Sequence, residues 1–509
     1  MKLTLRILYL ALILCVAQSC KKNGLEKPLS NDNSVTNSRS SVTGQAQIVF
    51  SKILAKAVKS NQSLREFLKK ESLKQFDNDN DILYQMVKSE SVDGSKTFHQ
   101  ILTSYASSEK ELDSIERALP LLTIFVPTLP NFSPDKWNAL NEAPLVATVV
   151  DNGQASIFDE LGKETILKAD RVPGIPVLVV KQNERVIVNN KTSLSVNNLN
   201  KKTAALYQNT DFSFSFADDA FNGINNNKEQ KTNNLGIQRV AASNDIDPVN
   251  IAAFNSGDEW QRDYVYYGLT PTNTKGAFRN NYSEVITSFK FLTPNALGII
   301  ADQDGDPKAN SVMKILRSGQ VLIPAWTDGN FEFSITVLIN AKNGVGSELQ
   351  KIMSVKPSDL FDIQYQIEDH GFFKDYKFVS AVPKEYHPNI ELVPWDLENY
   401  GTAWKFIFYE IDNAQEVTQT FENSTTYAAN FEITDAISKK IGLKFGASAT
   451  TNTKNTYSVK TTLNSDFLGE AVLSFDQPII TNVSNGSYTT REITSGNVLS
   501  ISVEPKKIF

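Results

Sequence analysis

The chain has 509 residues, with 51 Lys and Arg against 57 Asp and Glu, and a formal net charge of −6. That mildly acidic balance gives no electrostatic reason to bind nucleic acid or an anionic lipid surface. Hydrophobic residues at 41% and charged residues at 21% exclude a disordered or fibrous chain, and the length suggests about three domains.

The first residues fall into three zones. Lys2 and Arg6 form a short positive region, residues 8–17 are continuously apolar, and Ala17-Gln18-Ser19 places small residues where a signal peptidase inspects the chain. The apolar run is too short for the ~20-residue helix that crosses a ~30 Å hydrocarbon core. Residues 1–19 therefore read as a cleaved signal peptide. The two cysteines are Cys15, inside the apolar run, and Cys20, directly after the cut. One thiol survives processing and has no partner, so the exported fold cannot use disulfides and must rely on core burial. Cleavage also removes Lys2 and Arg6 but no acid, which leaves the mature chain more acidic still.

With Cys20 at the cut, the region resembles the lipobox of bacterial lipoproteins over about the first 20 residues. The family pattern has Leu, a small residue, Gly or Ala, then Cys. Here Ala17 and Gln18 depart from it, and Ser19 keeps the small residue. The resemblance implies a diacylglycerol on the Cys20 thiol, with palmitate-type chains, and Cys20 as the new first residue. Ordinary cleavage after Ser19 would instead release a soluble protein with a free thiol. Each buried acyl CH₂ contributes ~0.8 kcal/mol, and two chains hold a protein stably on a membrane. In Gram-negative members, Asp after the cysteine retains the protein in the inner membrane. Lys21 stands there, so the resemblance implies the outer membrane, on a face it does not specify.

Residues 20–45 are polar and read as a disordered tether. Residues 46–120 read as helical. Val49, Ile53 and Ala57 recur at four-residue spacing, Ser63 with Glu66 and Ser108 with Glu111 form capping-box patterns, and Pro120 ends the run. From residue 121 the period changes. Residues 121–126, 145–150 and 177–180 are short β-branched runs, and Phe212, Phe214 and Phe216 alternate with serines, so 121–217 reads as β-rich. An Asn-rich stretch makes 218–245 a linker or long surface loop.

Residues 246–400 read as a β-sandwich-like domain, with Phe331, Phe333, Ile335 and Val337 facing one way and Glu332, Ser334 and Thr336 the other. Residues 401–509 read as a C-terminal β-rich domain whose Thr-rich strands have a thin core. No regular alternation of strand and long helix occurs, which disfavours a doubly wound sheet. The expected class is α+β, predominantly β, with an N-terminal helical segment before antiparallel β-sandwich-like modules.

Chemistry candidates are few. Asp302, Asp304 and Asp306 place three carboxylates at alternate positions, a calcium candidate. Gly305 is fourth rather than sixth in that run, and Met313 stands where a bidentate Glu belongs, so an exposed turn is the competing reading. Asp77, Asp79 and Asp81 repeat the spacing between two expected helices, which favours helix capping. The three histidines, His99, His370 and His387, show no paired spacing, and only His370 follows carboxylates, Glu368 and Asp369. No nucleophile elbow or phosphate loop occurs. A pair of distant catalytic acids would leave no sequence signature. Trp137 follows a Ser133-Pro134 helix start and reads as core, whereas Trp326 sits in a turn and reads as exposed.

These features point first to a lipid-anchored envelope protein that binds a glycan or protein ligand, or that is structural, without nucleic acid and without a cofactor beyond possible calcium. An envelope hydrolase acting on glycan or peptide is the alternative. The Thr/Ser-rich strands between Thr418 and Thr462 distantly resemble the insertion segment of aerolysin-type toxins, which implies a membrane-inserting β-protein as a third reading.

Overall fold

The computed structural model describes residues 33–149, 154–168, 170–190, 205–217, 221–224, 245–257, 260–270, 272–273, 276–293, 296–300, 326–327, 329–341, 348–369, 374–411, 416–428, 449–462 and 466–508. Residues 1–19, which were expected to be a signal peptide, Cys20 and most of the 218–245 stretch lie outside them. Residues 1–45 and 46–509 separate as two units.

Helices α1 (Asn33–Ser60), α2 (Gln62–Ser72), α3 (Tyr84–Val87), α4 (Phe98–Thr103) and α5 (Glu109–Ala118) open the chain. Helix α1 starts inside the stretch expected to be a tether, so that expectation fails from Asn33 onward. Phe50, Ile53, Leu54, Ala57 and Val58 bury one stripe of it, because apolar residues recur every three or four positions. The cap of α2 is Asn61, whose Oδ1 accepts from Leu64 N at 2.9 Å, and not Ser63. Ser108 does cap α5, accepting from Glu111 N at 3.2 Å. Among the described residues no helix is long and apolar enough to cross a membrane.

Six strands form the first sheet: β1 (Asp81–Leu83), β2 (Leu122–Phe125), β3 (Leu145–Val149), β4 (Ala155–Phe158), β5 (Glu164–Leu167) and β7 (Val177–Gln182), with β6 (Arg171–Pro173) outside it. Their order is β1-β2-β7-β3-β4-β5. The sheet is mixed, since β3 runs parallel to β7. Its other pairings are antiparallel, and residues 121–217 are β-rich as expected. Val177 to Val180 are buried on both faces, as a parallel pairing in mid-sheet demands. Helices and sheet share one apolar core, so residue 120 divides secondary-structure types and not cores.

A small sheet follows, ordered β8-β10-β9, from β8 (Val186–Asn190), β9 (Ala205–Gln208) and β10 (Phe212–Phe216). Its Phe214 and Phe216 pack with Phe76, Leu83 and Ile411.

The remainder begins with α6 (Pro248–Asn255), α7 (Gln261–Tyr267), β11 (Tyr282–Phe291), α8 (Ala296–Ile300), β12 (Phe331–Leu338), β13 (Glu348–Val355) and α9 (Pro357–Leu360). It continues through β14 (Phe361–Asp369), β15 (Lys374–Pro383), β16 (Ile390–Glu391), β17 (Ala403–Glu410), β18 (Glu416–Ala428) and β19 (Ala449–Thr462). It ends with β20 (Asp466–Ser474), β21 (Ile480–Ser484), β22 (Ser487–Thr490), β23 (Glu492–Ser495) and β24 (Leu499–Lys507). Sheets β16-β11-β24-β23 and β13-β12-β17-β20 stack face to face around one core, with Phe289 of β11 5.5 Å from Phe333 of β12. Strand β11 pairs with β24, and β12 with β17. Residue 400 is therefore not a domain boundary, because strands from both sides of it build both sheets of one sandwich.

Strand β12 is buried at every position, its polar Glu332, Ser334 and Thr336 included. The reason is that the outer face of this sheet is itself covered. Leu338, Ile407 and Tyr409 receive Phe421 and Tyr457 from the β18–β19 hairpin, and Glu332 is met by Arg185. The class is α+β and predominantly β.

Candidate functional site

Asp77 and Asp79 lie in the loop 73–80 that connects α2 to β1, and Asp81 is the first residue of β1. The alternate aspartates cap no helix. All three carboxylates are withdrawn from water, at 0%, 1% and 0% exposure. The loop instead supplies anions to two cations that leave the end of β7. Lys181 Nζ lies 3.2 Å from Asp81 Oδ2 and 2.7 Å from Glu184 Oε1. Arg185 Nη1 lies 3.2 Å from Asp79 Oδ2, and its Nη2 lies 3.0 Å from Glu332 Oε2. Asn183 donates to Asp77 Oδ2 at 2.8 Å. Asn330 N donates to Asp79 Oδ2 at 2.9 Å, and Ser354 Oγ to Glu332 Oε1 at 2.9 Å. One guanidinium thus joins the first module to the sandwich.

Burial governs the proton affinities here. It pushes Asp77 up to about 6 and Glu332 up to about 8, although Arg185 pulls both the other way. It also holds Asp81 well above the usual carboxylate range, against Lys181. Burial alone would discharge Arg185, but Glu332, Asp79, Asp77 and Glu184 outweigh it and keep the guanidinium charged.

A cleft of about 370 Å³ opens beside this network, between the first module and the sandwich. Phe125, Leu129, Val172, Trp326, Phe361, Ile363 and Tyr365 give it apolar and aromatic walls. Lys356, Lys384 and Asp362 stand around it, and Asp79, Asn80, Gly329 and Asn330 bring the charge network to it. The three-stranded sheet β14-β15-β6 bridges the two modules next to the cleft. Arg171 of β6 ties that bridge, contacting Glu368 and reaching Asp375 Oδ1 at 2.7 Å. Aromatic and apolar walls with a few polar groups at the edge are the general makeup of a small-ligand site.

The other sequence candidates do not converge here. Trp137 is core, as expected, but Trp326 is also buried, at 6% exposure, with its ring in the first module's core. His99 sits instead with Glu116, its Nδ1 2.8 Å from Oε1, and with Tyr84 Oη at 3.1 Å. His99, Asp113 and Glu116 present possible ligand atoms within 4.8 Å of one another. Lys88 Nζ, 2.7 Å from Glu116 Oε2, already supplies the positive charge, so the group is a closed ion-pair cluster. The hydrogen bond to Glu116 raises the His99 pKa and keeps the imidazole inclined to its charged form. His387 Nδ1 contacts the Thr287 carbonyl at 3.0 Å. His370 and the calcium candidates Asp302, Asp304 and Asp306 lie outside the described residues.

Sequence reading flagged the alternate aspartates but missed Asn183, Arg185 and Glu332. One signal was present: Lys181, Glu184 and Arg185 crowd the end of an apolar β-branched run, where charge would not otherwise gather. No family model matches the chain, and comparison with curated proteins and with solved structures finds no match.

Proposed function

We propose that this chain is a lipid-anchored cell-envelope protein that holds a ligand between its two β-built halves. The cleft carries the proposal. It is concave, walled by aromatic and aliphatic side chains, and placed where two modules meet. Cys20, after a signal-peptide-like segment, supports the anchor, and Lys21 supports the outer membrane. Phe125, Phe361 and Tyr365 supply aromatic lining for a sugar or a peptide side chain, while Lys356, Lys384 and Asp362 offer polar contacts.

The hydrolase reading draws less from the same cleft. Glycoside hydrolysis uses two carboxyl groups facing one bond. The acids in the described lining are Asp79 and Asp362. Asp79 is engaged by Arg185 and by the backbone N–H groups of Asn80 and Asn330, so it is not free to move a proton.

A binding screen of glycans, peptidoglycan fragments and peptides against the full mature chain tests the cleft. A ligand should be found, and Ile363→Trp, which fills the space, should weaken it at least tenfold. Binding untouched by that substitution would move the site elsewhere. The anchor has its own test, since native protein should enter the detergent phase on partitioning and carry acyl mass on Cys20. Recovery wholly in the aqueous phase would remove the anchor and leave the cleft standing.

A further inference from the structure

The charged residues in the cleft lining are Asp79, Lys356, Asp362 and Lys384, whose formal charges cancel. Their surroundings do not. Asp79 is already neutralised, with Arg185 Nη1 3.2 Å from its Oδ2 and the N–H groups of Asn80 and Asn330 donating at 2.7 and 2.9 Å. Asp362 sits on the outward set of β14 positions. Successive residues of a strand belong to opposite faces. Phe361, Ile363 and Tyr365 are buried or half-buried, whereas Asp362, Gln364 and Gln366 are exposed. On that exposed face the Asp362 Oδ2 accepts from Gln364 Nε2 at 2.9 Å. Two ammonium groups remain. Among the described residues neither Lys356 nor Lys384 is held in an ion pair, and Asp135 feels Lys356 only from beyond ion-pair reach. In a chain of net charge −6, this cleft is locally positive.

One turn of helix sets both cations. Lys356 immediately precedes α9, and the N–H of Lys384 donates to the carbonyl of Leu360, at the far end of α9, at 2.9 Å. Four helical residues rise about 6 Å, so lysine side chains from the two ends can converge on one anion. Thr128 and Ser358 add hydroxyl groups to the lining. Burial pushes the Tyr365 pKa up to about 12, so its hydroxyl stays a neutral donor. The apolar remainder includes Phe125, Leu129, Val172 and Trp326. At about 370 Å³ the space is at the small end of the ~300–1,000 Å³ typical of small-ligand sites. A compact body with one charged end suits it.

On the footing that the cleft holds a ligand, we propose that this ligand is a small amphipathic anion. Its apolar or aromatic body fills the walled space, and its single carboxylate or phosphate group is held by Lys356 and Lys384. A lysine ammonium is a point charge on a flexible stem and sets the geometry of its anion loosely, so both groups qualify. An ammonium on the same body would be repelled, and an uncharged amide would gain only hydrogen bonds.

Four naphthyl compounds share a body and differ at one end: naphthylacetate, its uncharged amide, naphthyl phosphate and naphthylmethylamine. Titration calorimetry of the full mature chain at low salt should show at least one anion binding about tenfold tighter than the amide, with the amine weakest. The tighter anion identifies the group that the site prefers. Its advantage should shrink below about threefold at ~1 M salt, where charges are screened over ~3 Å. Lys356→Gln/Lys384→Gln should bring the anions down to the amide and leave the amide unchanged. Both side chains reach solvent, so this variant should fold. If anions and amide bind alike and Ile363→Trp weakens both, the cleft stands as a ligand site and the anion preference falls. Binding that Ile363→Trp leaves untouched lies elsewhere and overturns both readings. Absence of binding by every probe also overturns the anion site.

Discussion

Arg185 Nη2 lies 3.0 Å from Glu332 Oε2, with both side chains out of water, and through this pair the first module grips the sandwich. The same guanidinium holds Asp79 and donates to the carbonyl of Asn330 at 2.7 Å. Removing the cation would strand Asp77, Asp79 and Glu332 in a dry interior. Arg185→Leu should therefore cost about 3–5 kcal/mol, read as a shift of the urea unfolding midpoint. The double variant Arg185→Leu/Glu332→Leu should recover part of the loss, because it leaves one fewer unpaired acid. A single-variant cost under about 1 kcal/mol would mean that the pair behaves like an exposed one.

The raised affinity of Glu332 for its proton makes stability depend on pH. Its carboxyl is pushed from 4.5 up to about 8 by burial. Between those values the folded chain holds a proton that the unfolded chain has released. Stability from this group is thus present at low pH and declines as pH rises from 4.5 through about 8. Asp77, raised to about 6, adds to the lower part of that decline. Glu332→Gln is neutral throughout and should flatten the profile, so its melting temperature relative to the parent should rise between pH 5 and pH 9. A constant difference across that range would show that Glu332 does not titrate in the fold.

How much of this was legible in the chain follows from what each feature depends on. Local rules sufficed where the cause was local. The Ser108 cap, the alternating Phe214 and Phe216, and the buried run from Val177 to Val180 follow from spacing within a few residues. Features set by distant partners were not readable. Asp77, Asp79 and Asp81 looked like surface caps because their cations arrive about a hundred residues later in the chain. Trp326 looked exposed because its turn is polar, yet its ring enters a core built largely from residues before 181. Strands on either side of residue 400 looked like separate domains because β11 finds β24, and β12 finds β17, only in three dimensions.

A second buried pair anchors the sandwich. Arg262 meets Glu284 with two hydrogen bonds of 2.9 and 3.0 Å, donates to the Val503 carbonyl at 2.8 Å, and lies over the Phe475 ring. It joins α7 to β11 and β24. Glu284→Ala leaves the guanidinium with one carbonyl and a ring face in a dry site, and should destabilise by about 3–5 kcal/mol. Trp404→Ala provides a comparison without charge. Its ring sits 4.7 Å from Phe475, and the cavity left should cost about 3–5 kcal/mol. Calorimetry should show both losses. If only the tryptophan variant melted early, the ion pair would be contributing no more than an apolar pair of the same volume.

Gly329 is where the charge network and the cleft meet, and there the absence of a side chain is a requirement. Its φ is +93°, a conformation that side chains rarely adopt, and a Cβ built on it would fall 1.6 Å from Asp79 Oδ2. That oxygen cannot swing aside at small cost, because Arg185 and Asn330 N both hold it. Gly329→Ala must either displace the carboxylate from its cation or shift the turn that carries Trp326 and Asn330. Backbone strain and overpacking together should cost about 2–5 kcal/mol. Asn330→Ala removes side-chain bonds to Asn78 and Ser354 but keeps the backbone N–H that Asp79 uses, so its cost should be smaller, about 1–2 kcal/mol. Paired unfolding curves check the ranking. If Asn330→Ala were the more damaging, the side-chain bridge and not the close approach of glycine would be what holds this turn against the aspartate loop.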